Sequence, residues 1–177
     1  SLGNGCPVCA GKQIIPGEND LASQFPQLAA QWHPDKNGAL RPENVSPNSN
    51  RKVWWLCPLG HAWKATVTSR SREGAGCPFC AGRKVWPGFN DLETVEPKVA
   101  AQWHPTLNGQ LTPRMVTAGS RRKVWWQCPE GHVWKAVVYS RAGKRKCGCP
   151  VCAGRISEAR MKAYRHMVGE QQGKTER

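Results

Sequence analysis

VWWLCPLGHAWKA, from Val53 to Ala65, returns as VWWQCPEGHVWKA from Val124 to Ala136. Each copy is followed by a second cysteine pair, Cys77-Pro78-Phe79-Cys80 and then Cys149-Pro150-Val151-Cys152. The spacing is C-x3-H, then 15 or 16 residues, then C-x2-C. Three thiolates and one imidazole so spaced can surround one tetrahedral Zn²⁺. The duplication predicts two structural zinc ions and two small modules, rather than one core built from 177 residues. Modules of roughly 70 residues bury little apolar surface, and metal is a usual remedy. Nine cysteines also fit a secreted disulfide scaffold, but disulfides need no histidine.

Two ligand pairings are open. In one, Cys57 and His61 join Cys77 and Cys80, while Cys128 and His132 join Cys149 and Cys152. In the other, Cys6 and Cys9 join Cys57 and His61, and Cys77 and Cys80 join Cys128 and His132. The first closes loops of 15 and 16 residues, the second loops of 47, a small entropic difference in favour of the first. A hairpin expected between each His and the following Cys pair favours it further. Cys6 and Cys9 then form a partial metal site left over from an upstream repeat. Cys147, beside Cys149, reads as a spare thiol that leaves the choice of ligand open.

The repeat period is 71 residues, slipping by one before the last cysteine pair. We divide the chain into an N-terminal remnant (1–18), two zinc modules (19–80 and 81–152) and a basic helix and tail (153–177). In each module an Asp, Asp20 or Asp91, caps a short helix whose apolar residues share one face. Pro26 and Pro97 split it into a first turn and a second short helix. Asn37-Gly38 and Asn108-Gly109 signal tight turns. Lys52–Trp55 and Lys123–Trp126 read as strands, and His61–Val67 and His132–Val138 as their return strands. Ser157 caps a helix expected over Ile156–Val168. The fold class is a small zinc-stabilised α+β protein with short helices and β-hairpins.

The formal charge is +14. Two sites of three thiolates and one Zn²⁺ lower it to about +12. Such an excess points to a polyanionic partner. Residues 1–80 carry +3 and residues 81–152 carry +8. Arg121-Arg122-Lys123 and Lys144-Arg145-Lys146 flank the second hairpin. Arg51-Lys52 and Arg70/Arg72 are weaker counterparts in the first, and Arg155, Arg160, Lys162 and Arg165 mark the tail. All are candidate phosphate contacts. Of nine tryptophans, Trp32, Trp63, Trp103 and Trp134 fall in phase with core positions. Strand alternation turns one ring of each pair, Trp54-Trp55 and Trp125-Trp126, outward, available for base stacking. His33 and His104 repeat with no cysteine nearby, which favours a structural role.

The unit Asn-Asp-Leu, Pro-x-x-Ala-x-Gln-Trp-His-Pro, Asn-Gly-x-Leu-x-Pro, Val-Trp-Trp-x-Cys, Gly-His-x-Trp-Lys-Ala, Arg, Cys-Pro-x-Cys resembles the treble-clef zinc finger, or probable zinc-ribbon, family over about residues 19–80 and 90–152. The resemblance implies tandem treble-clef modules and supports the first pairing. Family members occur in nuclease-associated settings as well as in uncharacterised chains, so the likeness implies zinc and fold more than task.

A metal nuclease needs an open coordination position and a general base. Four protein ligands close each expected site, and no carboxylate recurs near them: Glu130 stands where the first repeat has Leu59. We therefore expect no enzyme and no small-molecule substrate. No apolar run approaches the roughly 20 residues of a membrane span, so no membrane partner is expected. The favoured expectation is an RNA-binding structural subunit of a large ribonucleoprotein, such as an organellar ribosome, with protein neighbours in that assembly and RNA preferred to DNA. The alternatives are a DNA-recognition module of a nuclease or defence system and a protein-interaction scaffold. Reduced thiols place the chain in an intracellular reducing compartment. A first residue of Ser1 is expected of a processed chain, such as a mitochondrial or other organellar protein.

Overall fold

A computed structural model describes residues 13–144, 146–157, 159, 160 and 162. Cys6, Cys9, Arg145, Arg165 and most of the expected C-terminal helix lie outside the described residues. At the start of that helix Arg160 N donates to Ser157 Oγ at 3.3 Å. The chain divides into two units, Ser1–Ala81 and Gly82–Arg177.

The first unit opens with two four-residue helices, α1 (Leu21–Gln24) and α2 (Pro26–Ala29). Asp20 caps α1. Its side chain accepts from Ser23 N at 2.9 Å, and the Ser23 hydroxyl donates to the same carboxylate. Pro26 at the first position of α2 has no N–H to leave unsatisfied and a preset φ. Gly38, in the turn that follows, adopts φ 60°, a left-handed conformation open to glycine at little penalty. A 3₁₀ turn over Pro42–Asn44 leads into β1 (Lys52–Leu56), which pairs antiparallel with β2 (Ala62–Thr66), Trp55 opposite Trp63. Asn37, from the tight turn, serves β1 as a substitute neighbour: Trp54 N donates to its Oδ1 at 2.7 Å, and its Nδ2 donates to Trp54 O at 2.9 Å.

The return strand is shorter than the alternation implies. It ends at Thr66, whose hydroxyl accepts from Ser69 N at 3.2 Å and starts α3 (Val67–Ser71). The hairpin therefore straddles the first ligand pair instead of joining it to the second. Its strands run away from the Cys57–His61 turn, and α3 with the segment after it brings the chain back to Cys77.

The second unit repeats this order with α4 (Leu92–Val95), α5 (Pro97–Ala100), β3 (Lys123–Gln127), β4 (Val133–Val137) and α6 (Val138–Ala142). Trp126 faces Trp134 across the sheet, and Asp91 caps α4 through Thr94. Each core centres on a fully buried strand tryptophan, Trp55 or Trp126. An edge-on tryptophan from the helical segment meets it, Trp32 at 5.5 Å and Trp103 at 5.3 Å, with rings inclined by 78° in both. Edge-to-face packing suits the ring quadrupoles. Leu21, Val45, Val53 and Val67 complete one core; Leu92, Val116, Val124 and Val138 complete the other. Among the described residues no helix is long and apolar enough to cross a membrane.

The strand pairs correct the stacking expectation. Trp125 is only 4% exposed, so the second pair presents no outward ring. Trp54 is half-buried, with the Lys36 ammonium 4.7 Å and the Lys64 ammonium 5.3 Å from its ring centre.

Candidate metal centres

Each hairpin turn presents the first two ligands. Gly60 (φ 81°) and Gly131 (φ 76°) reverse the chain there, and Cys57 N donates to His61 O while Cys128 N donates to His132 O. The second pair sits on a single turn, closed by Ala81 N to Cys77 O and by Ala153 N to Cys149 O. Cys57, His61, Cys77 and Cys80 offer four ligand atoms within 4.8 Å of one another, as do Cys128, His132, Cys149 and Cys152. The local pairing is thus the one the fold forms. Cys147 stands outside the tetrad, its N–H bonded to Ser140 O at 2.9 Å as Ala75 N–H is to Ser69 O. That correspondence aligns Cys147 with Ala75 and Cys149 with Cys77.

Zinc–sulfur bonds of about 2.3 Å imply a sulfur–sulfur edge of about 3.8 Å in a tetrahedron. Cys57 Sγ and Cys80 Sγ lie 3.8 Å apart, and so do Cys128 Sγ and Cys152 Sγ. Sulfur-to-Nδ1 distances run from 3.3 to 3.8 Å. The edges are far beyond a disulfide of about 2.05 Å. They fit one Zn²⁺ per tetrad, with Nδ1 as the histidine donor. Such an ion supplies folding energy and, with four protein ligands, no open position.

Charge is unevenly held among the thiols. Burial raises Cys57, but hydrogen bonds from the His61 and Leu59 backbone and the Cys80 and Cys77 side chains leave it below its ordinary value. Cys80 is pushed up to about 12 by desolvation first, then by hydrogen bonding and charge from Cys77 and Cys57. Cys149 and Cys152 repeat the contrast, one lowered and the other raised to about 12. Three thiolates so close need a cation, and coordination deprotonates a thiol outright.

A second cation is built in. Arg70 was expected to meet phosphate, yet it is only 6% exposed. Its guanidinium lies 5.0 Å from the Trp55 ring and 5.1 Å from the Trp63 ring, and it donates to Gln31 Oε1 and to Ala75 O. Arg141, which sequence reasoning left without a role, is 4% exposed and 4.8 Å from both Trp126 and Trp134. It donates to Gln102 Oε1. Its 71-residue register with Arg70 was the available signal. Among the described residues neither pairs with a carboxylate. Burial lowers both guanidinium pKa values, and thiolates push them back: Cys77 and Cys57 act on Arg70, and Cys149, Cys128 and Cys147 on Arg141. Zinc with three thiolates would carry a net −1, a charge that the buried arginine would help to balance. Two aromatic faces stabilise the cation where water does not reach.

The remaining candidates lie at the surface. Arg51, Lys52, Arg72, Arg121, Arg122, Lys123, Lys144, Lys146, Arg155, Arg160 and Lys162 are exposed. Arg72 Nε donates to Asn48 Oδ1 at 2.7 Å, and Lys146 pairs with Glu96 at 3.1 Å. His33 Nδ1 accepts from Asp35 N and Lys36 N, and His104 Nδ1 from Thr106 N and Leu107 N. Both histidines hold turns outside the tetrads.

No curated protein matches the chain. Residues 28–83 and 99–155 each match the family described as a probable treble clef zinc finger domain. Together they cover more than half the chain, span both tetrads, and show that the protein belongs to that family in two tandem copies.

Proposed function

We propose that the chain is a non-enzymatic, zinc-stabilised nucleic-acid-binding protein, with RNA its favoured partner in a large ribonucleoprotein such as an organellar ribosome. One observation carries the reading. Arg51-Lys52 and Arg121-Arg122-Lys123 stand exposed at the same place in the two modules, at the start of the first strand, and make no ion pair among the described residues. Cations placed twice on a rigid, metal-clamped hairpin suit phosphate contact. The longest described α-helices have five residues. In the described parts of both zinc modules the cations therefore stand on strand ends and loops rather than on a long helix, an arrangement that suits an irregular or unpaired RNA. A reducing compartment keeps the thiols available to zinc.

Fluorescence anisotropy of the zinc-loaded chain on single-stranded RNA and duplex DNA, across a salt series from about 50 to 200 mM, tests this. We expect tighter binding to RNA and a steep loss with salt. Preference for duplex DNA would move the reading to DNA recognition. Salt-insensitive capture of a protein, with no nucleic-acid binding, would replace it with a scaffold role.

A further inference from the structure

Each module carries an open groove beside the start of its first strand. The groove of the first module, of about 260 Å³, is lined by residues including Ile14, Ser46, Ser49 and Arg51. In the second, of about 440 Å³, Val85, Thr117, Ser120 and Arg122 occupy the corresponding positions, together with Arg83 and with Arg121, which stands where the first module has Asn50. An aliphatic wall, a hydroxyl, a serine and an arginine are kept in both copies, and no carboxylate lines either groove among the described residues. Elsewhere the repeats have diverged, as at Leu59 and Glu130.

We propose that the groove of the second module binds the phosphodiester backbone of a single-stranded nucleic acid, and that the first module's groove is its weaker copy. The proposal rests on the nucleic-acid reading above and gives it a site. Arg83, Arg121 and Arg122 are exposed and make no ion pair among the described residues. Planar guanidinium groups meet phosphate oxygens in pairs. The wall is held in place before any ligand arrives: Arg122 N donates to Ser120 Oγ at 3.2 Å and Tyr139 N to Ser120 O at 2.9 Å. Less ordering is then needed on binding. The volume falls within the range of small-ligand sites, about 300–1,000 Å³, room for a nucleotide unit. Trp86, 37% exposed, follows Val85 on the same loop, where the first module has Ile15. Trp86 is outside the groove's lining but next in the chain to it, and a cationic track with an aromatic ring within a strand's reach is how proteins hold unpaired strands with little sequence preference.

The test uses the full zinc-loaded chain and an oligouridine of about 12 nucleotides, with the matching DNA strand as a second probe. Arg121→Ala with Arg122→Ala should weaken binding roughly tenfold and lower the salt slope by about 1.4, two contacts at about 0.7 each. Trp86→Ala should weaken it roughly fivefold with the slope unchanged. Lys98→Ala, a single charge loss elsewhere on the module, should leave affinity within about twofold. Zinc content and circular dichroism verify that each variant folds. If the wild type binds while the double variant keeps its affinity and slope, the groove is wrong and the nucleic-acid reading stands. If the wild type binds neither strand, both are overturned.

Discussion

The two modules share one ligand set and differ in how they cover it. In the first, His61 is 3% exposed, and the Phe79 ring lies 5.5 Å from the imidazole. In the second, Val151 stands in place of Phe79, and His132 is part-exposed. The arginines differ in the same direction. Arg70 Nη1 donates to Ala75 O, whereas Arg141 Nη1 is buried without a hydrogen-bond partner. The second module also carries one extra residue between its last helix and its second cysteine pair. Lys146 there takes a left-handed φ of 38°, where the first module has Gly74 at 62°. The lengthened loop carries Lys144, Arg145 and Lys146, part of the charge that makes this half +8 against +3. The first module encloses its metal site more completely; the second presents more cationic surface around a less protected one.

The largest effect should come from the ligands. Cys57→Ser or Cys128→Ser should unfold its own module and leave the other folded, since apparent binding energies of structural zinc reach roughly 10–16 kcal/mol. Amide spectra should lose one module's dispersed peaks and keep the other's. Loss of both would contradict two separate units. Next come the buried arginines. Arg70→Met and Arg141→Met should each destabilise their module by roughly 3 kcal/mol, because removing one partner strands the other's charge, and should weaken zinc binding measured against a competing chelator. Arg→Lys should rescue little, as an ammonium lacks the planar group that fits between two rings. A methionine variant with unchanged zinc affinity would remove the counter-ion role.

The comparison sharpens at the imidazole. Val151→Phe should slow release of the second zinc to a chelator, and Phe79→Val should hasten release of the first, each by about tenfold, since the apolar shell governs access. Identical rates in all forms would mean that Phe79 protects nothing. The smallest effect should be at the caps. Asp91→Ala should destabilise by about 1–2 kcal/mol. Burial acts first on the Asp20 and Asp91 carboxyls and raises them, but hydrogen bonds, from Ser23 and Gly17 in one and from Thr94 and Gly88 in the other, outweigh it and hold both below their ordinary value. A carboxyl depressed on folding stabilises fully above its unfolded pKa, about 3.9, and loses that contribution only as pH falls through the lower folded value. The deficit of Asp91→Ala should therefore be constant from pH 8 to about pH 5. A deficit that fades within that range would contradict the charged cap.

Much of this was legible because the chain states it twice. The 71-residue repeat located both hairpins, both caps, the proline-split helices and both ligand sets, apart from the choice between Cys147 and Cys149. What escaped depends on contacts the repeat does not encode as periodicity. Val67 and Val138 continue a strand-like alternation, yet each begins a helix. Thr66 caps the first, and the chain must turn there to reach its second cysteine pair. Arg70 looked like a surface cation because arginine usually is one; only the position of two tryptophan faces reveals it as internal. Trp125 and Trp54 occupy one register position and differ in burial, so strand alternation could not separate them. The choice between Cys147 and Cys149 was settled by the Ser140 bond that aligns the insertion.

Native mass spectrometry of the intact chain during stepwise chelation tests the central claim most directly. The account predicts two zinc ions bound with no disulfide, then one species that has lost a single ion, from the second module, before the other is released. A protein carrying no zinc, sulfur bridges in its place, or simultaneous loss of both ions would contradict it.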